Sequence, residues 1–200
     1  MDSEKSTFGC LIPNIILASK SAGRLQLLEE AGCQVTVNPT YIREDHTLSE
    51  TKEIVILLAE RKFHAYLDLN NPPFIPLLVA DTLVDLDGEI VSKAKDENEA
   101  RAMLKNLSGK THTVYSAYIL YLPAQGITLR GVEESQVTFK NLSDVALENY
   151  IESGEWRGAA GAYRVQGAGA SFIESIVGDL STVVGLPIEA ISAILEQLSF

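Results

Sequence analysis

With 200 residues, 46% of them hydrophobic, the chain is long enough to bury a substantial core as one domain or two closely joined lobes. A formal net charge of -11 argues against a nucleic-acid polymer as partner, because such proteins neutralise phosphates with a basic surface; a small anion met by a few local cations and a divalent metal is still allowed. No run approaches the ~18 apolar residues of a membrane span, and MDSEKSTFGC at the start lacks the basic and apolar stretches of a secretory signal, so a cytoplasmic protein with no membrane partner is expected.

In chain order, residues 14–18 read as a short apolar strand. The turn Ser19-Lys20-Ser21 then opens a helix carried by Leu25, Leu27, Leu28 and Ala31 and ended by Gly32. Thr47 and Glu50 have capping-box spacing before a second helix through Ile54, Leu57, Leu58, Arg61 and Ala65. The apolar run 74–80 predicts a strand covered on both faces that stops abruptly at Asp81. Asp87-Gly88 is a hairpin signal between 82–86 and 89–92, and Asp96 with Glu99 caps a helix with the stripe Ala100, Met103, Leu104 and Leu107. Segments 111–122 and 127–140 predict two long antiparallel strands, followed by a helix over 143–153 that Gly154 stops. Residues 158–170, rich in Gly and Ala, read as close-packed backbone or a ligand-facing loop, and Pro187 opens a terminal helix. Cys10 and Cys33 lack the spacing of a zinc site or a disulfide framework and read as packing residues. No internal repeat or linker interrupts the chain.

Several familiar motifs fail. Ser108-Gly109-Lys110-Thr111 resembles the end of a P-loop, but Leu104 stands where that loop needs glycine. Asp85-Leu86-Asp87-Gly88 is similar to the nucleophile loop of aspartyl-phosphate phosphatases, with Asp85 as nucleophile, yet a plain hairpin accounts for it equally well.

Other residues carry more chemistry. Ser19 and Ser21 at a helix start either cap the helix or offer hydroxyls and free N–H groups to a phosphate, with Arg24 one turn further on. Lys62 and Lys93 are either solubilising or convergent cations. Asp81, directly after an apolar strand, sits where open α/β sheets bind ligands, or else caps a turn. Glu44 is a metal ligand or part of a polar loop, and the Gln166 amide could read a base edge or bond its own backbone. The three histidines lack ligand spacing and receive no role.

Taken together, LASKSAGR from Leu17, ILLAERKFHA from Ile56, the ADT of residues 80–82, DGEIVSKAKDENEARAMLKNLSGKTH from Asp87, GAYRVQG from Gly161 and GDLSTVVGLP from Gly178 resemble the Maf-type nucleoside triphosphate pyrophosphatases, relatives in fold of inosine triphosphatases. The resemblance spans 14–200 as a single domain after an N-terminal extension of residues 1–13. It implies an α/β fold with an elongated mixed sheet flanked by helices and a cleft between two lobes. It also implies cleavage of a nucleoside triphosphate to the monophosphate and pyrophosphate with Mg²⁺, or Mn²⁺ or Co²⁺ in its stead, by a homodimer. Asp81 matches the family's general base, Glu44 and Asp81 its metal ligands, and Ser19, Arg24, Lys62 and Lys93 its phosphate-binding positions. Thr82 and Gln166 match the branch that prefers dTTP and UTP and takes some modified pyrimidine nucleotides.

The usual turn SxSPRR is altered here, with Ala22 and Gly23 in place of the proline and first arginine. Gly158-Ala159 replaces a frequent Asp-Lys, Arg43 an acidic residue, and Ala94 a proline. The alternative reading is a non-catalytic nucleotide-binding regulator of cell division.

Overall fold

The structure, a computed structural model, describes residues 7–198; the first six residues of the MDSEKSTFGC segment lie outside the described residues. In chain order the elements are α1 (Thr7–Leu11), β1 (Asn14–Leu17), α2 (Ala22–Glu30), β2 (Gln34–Val37), α3 (Thr51–Leu69), β3 (Leu77–Leu86), β4 (Glu89–Val91), α4 (Glu97–Leu107), β5 (Thr111–Leu122), β6 (Ile127–Phe139), α5 (Asp144–Ser153), a 3-10 turn (Ala168–Phe172), β7 (Ile173–Val177), α6 (Leu180–Val184) and α7 (Ile188–Gln197). The strands form one mixed sheet in the order β2-β1-β3-β5-β6-β7, with β4 paired to β3. No helix among the described residues is long and apolar enough to cross a membrane.

The edges of β3 decide where a site can form. One edge is paired with β5 from Leu77 opposite Tyr121 to Asp85 opposite Thr113. The other is shared by two short strands: β1 runs parallel to it at Leu77 and Leu78, and β4 runs antiparallel to it from Val84 to Leu86. Between them, residues 79–83 have no strand beside them on that edge, and the sheet opens there.

Side chains alternate across β3 as a strand requires. Leu77 and Val79 pack with Val55, Ala59 and Phe63 of α3 on one face, whereas Leu78 and Ala80 join Phe8, Tyr118, Ile191 and Leu195 on the other. Val84 and Leu86 enter a separate core with Leu104, Phe139, Tyr150, Trp156 and Phe172. Successive parts of one strand thus serve different cores, and the uncovered edge lies between the two lobes. Phe8 and Ile12, in the stretch set apart as an extension, are buried in the core that holds α7.

Several expectations need correction. The strand does not stop at Asp81 but continues to Leu86, because the unbroken ladder with β5 satisfies its backbone whatever side chain it carries. It also starts later than Phe74, which is 95% exposed. The second helix begins at Thr51 rather than after Thr47; Glu50 occupies the cap position without a side-chain cap bond, and the Thr51 hydroxyl donates instead to Asp85. Pro187 is the cap of α7 rather than a residue of its first turn. Cys33 is buried, but Cys10 is exposed. The sequence pattern did not signal α1, β2, β7 or α6, all of five residues or fewer.

Other signals hold with their physical causes. Asp87 (φ 57°) and Gly88 (φ 87°) make the β3–β4 turn, in which both central residues need positive φ. Asp96 accepts from the Glu99 N–H at 2.9 Å while the Glu99 carboxylate accepts from the Lys95 N–H at 2.8 Å, closing the start of α4 reciprocally.

His112 is 2% exposed, edge-on to Phe139 and Tyr163, with Nε2 2.9 Å from the Tyr163 hydroxyl. Burial lowers its pKa to about 4. The unfolded chain therefore takes up a proton near pH 6.5 that the folded chain refuses until about 4, so stability falls as pH drops through that window. The expected loss by pH 4 is about 3 kcal/mol from this residue. Urea unfolding from pH 7 to 4 should show it, with a shallower slope for His112→Phe.

Candidate active site

At the centre of the uncovered edge is Asp81, 5% exposed and on the face of β3 that packs against α3. Lys62 is carried by α3, which packs on this face of the sheet, and its amine donates to Asp81 Oδ1 at 2.8 Å. Removing a carboxylate from water costs several kcal/mol, and the pair offsets this at one oxygen. The other oxygen, Oδ2, is buried with no hydrogen-bond partner among the described residues. An acceptor left unpaired in this way is expected where a ligand or water will complete it.

The opposite side of the edge is organised by Arg24, 7% exposed. Its Nε donates to Gly185 O at 2.7 Å, Nη1 to Ser19 Oγ and Ala80 O at 2.9 Å each, and Nη2 to Thr82 Oγ1 at 2.9 Å. Those bonds use four of the five guanidinium N–H groups. Burial lowers its pKa and the Asp81 charge raises it. Arg24 thus ties the β1–α2 turn, the uncovered backbone of β3 and the α6–α7 turn together, leaving one N–H for any phosphate. Thr82 Oγ1 also meets Ser116 Oγ at 2.9 Å, whose hydroxyl donates to Thr182 O at 2.8 Å. Ser21 caps α2 by accepting the Arg24 N–H at 3.4 Å, and the Ser21 N–H donates to Ser19 Oγ at 3.2 Å. Capping and an anion-facing turn are therefore compatible: the hydroxyls hold the turn, and the first N–H groups of α2 remain outside those bonds.

The cleft has a volume of about 650 Å³, and Ser19, Arg24, Glu44, Lys62, Asp81, Thr82, Lys93 and Gln166 all line it. The sheet alone could not bring these residues together. Lys93 arrives through the β3–β4 hairpin and is held by a bridge to Ala160. Glu44 comes from the exposed loop 38–50, where Arg61 Nη1 donates to the carbonyls of Arg43 and Asp45 on either side of it. Gln166 comes from the glycine-rich segment, beside Gly23; a Cβ on that glycine would lie 2.9 Å from Gln166 Oε1. Asp85 is engaged at both oxygens, by the Gly88 N–H at 3.0 Å and by the Thr51 hydroxyl, and does not line the cleft. The sequence pattern did not single out Lys20, Glu155 and Arg164, which also line it; isolated charges in turns carry no periodic signal. No group of three or more His, Cys, Asp or Glu among the described residues could hold a metal by itself.

Arg24→Ala should lower stability by at least about 3 kcal/mol, since it leaves buried acceptors from three segments unpaired. Denaturant unfolding would read this as a fall in midpoint; an unchanged midpoint would show that the guanidinium is not the tie between them.

Residues 14–198 match the Maf-like protein family. The dTTP/UTP pyrophosphatase of Pyrococcus abyssi is 41% identical over 177 residues, covering 88% of this chain and 92% of that protein. That of Pyrococcus furiosus is 40% identical over 91% of this chain and 94% of its own. Among solved structures, the nucleoside-triphosphatase / dITP/XTP pyrophosphatase of Mycobacterium abscessus aligns over 92% of this chain and 96% of that one, with a TM-score of 0.42 and 16% identity. By its match from β1 to the end of α7, and by relatives that agree over nearly their whole length, this chain belongs to the Maf family.

Proposed function

We propose that the chain is a nucleoside triphosphate pyrophosphatase that converts a nucleoside triphosphate, with dTTP and UTP the first candidates, to the monophosphate and pyrophosphate. The observation that carries this reading is Asp81: buried, held by Lys62 at one oxygen and unpartnered at the other, on the wall of a cleft that also receives Lys93 and the start of α2. The two Pyrococcus relatives are dTTP/UTP pyrophosphatases, which supports the same activity.

In this reading Asp81 Oδ2 accepts a proton from the attacking water, while Lys62 fixes the carboxylate through Oδ1. The water oxygen forms a bond to the α-phosphorus, and the bond from the α-phosphorus to the oxygen that bridges it to the β-phosphorus breaks, its electron pair leaving on pyrophosphate. Lys93, the last N–H of Arg24 and the N–H groups at the start of α2 meet the phosphate charge, so rate comes from positioning and electrostatics rather than from a covalent step. Asp81 and Glu44, two carboxylates on the wall of one cleft, suit a hard cation that takes its remaining ligands from substrate and water. When bound there, Mg²⁺ or Mn²⁺ would polarise the phosphoryl oxygens. Thr82 is spent on Arg24 and Ser116, which supports a supporting role for it beside Gln166, whose exposed amide is suited to the edge of a pyrimidine. A cytoplasmic homodimer completes the reading.

Asp81→Asn should retain binding of a non-hydrolysable triphosphate but lower pyrophosphate release by ~100-fold or more. Release of pyrophosphate from a panel of nucleotides, with Mg²⁺ or Mn²⁺, is the direct test. No turnover on any of them would favour a nucleotide-binding regulator, a role consistent with Gly158-Ala159 on the cleft wall, and orthophosphate as the first product would favour a phosphatase using Asp85. Gln166→Glu, which exchanges an amide for an acceptor-only group, should narrow the preference for UTP and dTTP over other nucleotides; equal kinetic ratios in both proteins would remove Gln166 from base selection.

A further inference from the structure

We infer that Glu155 is the positioning residue for base selection, clamping the turn that presents Gln166; the inference rests on the reading of Gln166 above. α5 ends at Gly154 in the left-handed conformation (φ 73°), which reverses the chain and brings Glu155 to the rim of the cleft. Its carboxylate accepts the Ala168 N–H at 2.8 Å through Oε2. A Cβ on Gly167 would lie 2.1 Å from the same oxygen, so the carboxylate rests directly on the Gly167 backbone and only glycine leaves it room.

The other end of the turn is held from the same place. Glu155 O accepts from Arg164 Nε at 2.9 Å, and Arg164 Nη2 donates to Arg157 O at 2.7 Å. The Arg164 N–H donates to the Tyr150 hydroxyl at 3.0 Å, and the Gly167 N–H closes the turn on Arg164 O at 3.2 Å. Glu155 therefore grips residue 164 with its carbonyl and residue 168 with its carboxylate, and Gln166 lies midway between the two grips. On the far side the bare backbone of Gly23 lets the Gln166 amide lie against the first turn of α2. An amide read by hydrogen bonds must be held to within a fraction of an ångström, and a glycine-rich turn cannot supply that stiffness by itself. The carboxylate supplies it from outside.

The test compares wild type with Glu155→Ala, Glu155→Gln, Gly167→Ala and Gln166→Ala, using UTP, dTTP, CTP and GTP at several Mg²⁺ concentrations, together with hydrogen exchange at the Ala168 amide. Glu155→Ala should speed that exchange and cut the UTP-over-GTP ratio of kcat/KM by ~10-fold, the loss appearing in KM more than in kcat. Glu155→Gln keeps an acceptor oxygen and should recover both properties. Gly167→Ala leaves the carboxylate in place but pushes it off the turn, and should reproduce Glu155→Ala even if that variant folds poorly. The inference is overturned if Glu155→Ala keeps its selectivity while Gln166→Ala loses it. It is also overturned if Glu155→Gln shows the same loss as Glu155→Ala together with a raised Mg²⁺ requirement, which would make the carboxylate a metal ligand. A Gln166→Ala protein with unaltered selectivity would overturn the base reading itself and this inference with it.

Discussion

A carboxylate in the middle of a β-strand, away from water, can persist only if its surroundings compensate for the lost hydration. The Lys62–Asp81 pair does this, and the arrangement of the molecule follows from it. α3 must lie against the sheet to deliver the lysine, β5 must run the whole length of β3 to hold the backbone, and the edge facing the cleft must stay clear of any strand that would cover the carboxylate.

The clear edge in turn creates a difficulty, since uncovered backbone and a second polar face would otherwise be left to solvent. Arg24 resolves it by bonding the Ala80 carbonyl in the place where a strand would have been, and by using its other donors to draw in Ser19, Thr82 and Gly185. The two faces of β3 thus carry different tasks at adjacent positions. Asp81, on one face, keeps a carboxylate oxygen unpartnered for chemistry, while Thr82, on the other, belongs to a tightly bonded scaffold. An arginine bonded at four donors holds the segments around the cleft in fixed register with one another. The turn that carries Gln166 is tied down at both ends, whereas the stretch that carries Glu44 is exposed.

The altered turn at Ala22-Gly23 fits this picture. A side chain at Gly23 would meet Gln166 and Val184, so the glycine permits close contact between the first turn of α2 and the glutamine amide. The cleft wall carries Lys62 and Lys93 together with bare backbone and the Gln166 amide, a mixture suited to a ligand with both anionic and polar uncharged parts.

The sequence by itself determined the elements whose signals are local. Ser21 and Asp96 cap the helices they precede, Asp87-Gly88 makes its hairpin and Gly154 ends α5, because each depends on neighbours within a few residues, and the two long strands pair as their alternation requires. The ordered set of blocks also identified the family and its candidate residues. Tertiary structure alone decided that β3 runs through Asp81, because an apolar run marks where a strand is buried and not where its hydrogen-bonded partner ends. It also decided that Arg24 spends most of its donors on the frame and that Glu155 braces the turn around Gln166, since each of these bonds joins segments whose proximity is set by the packing of the sheet and helices and not by their spacing along the chain.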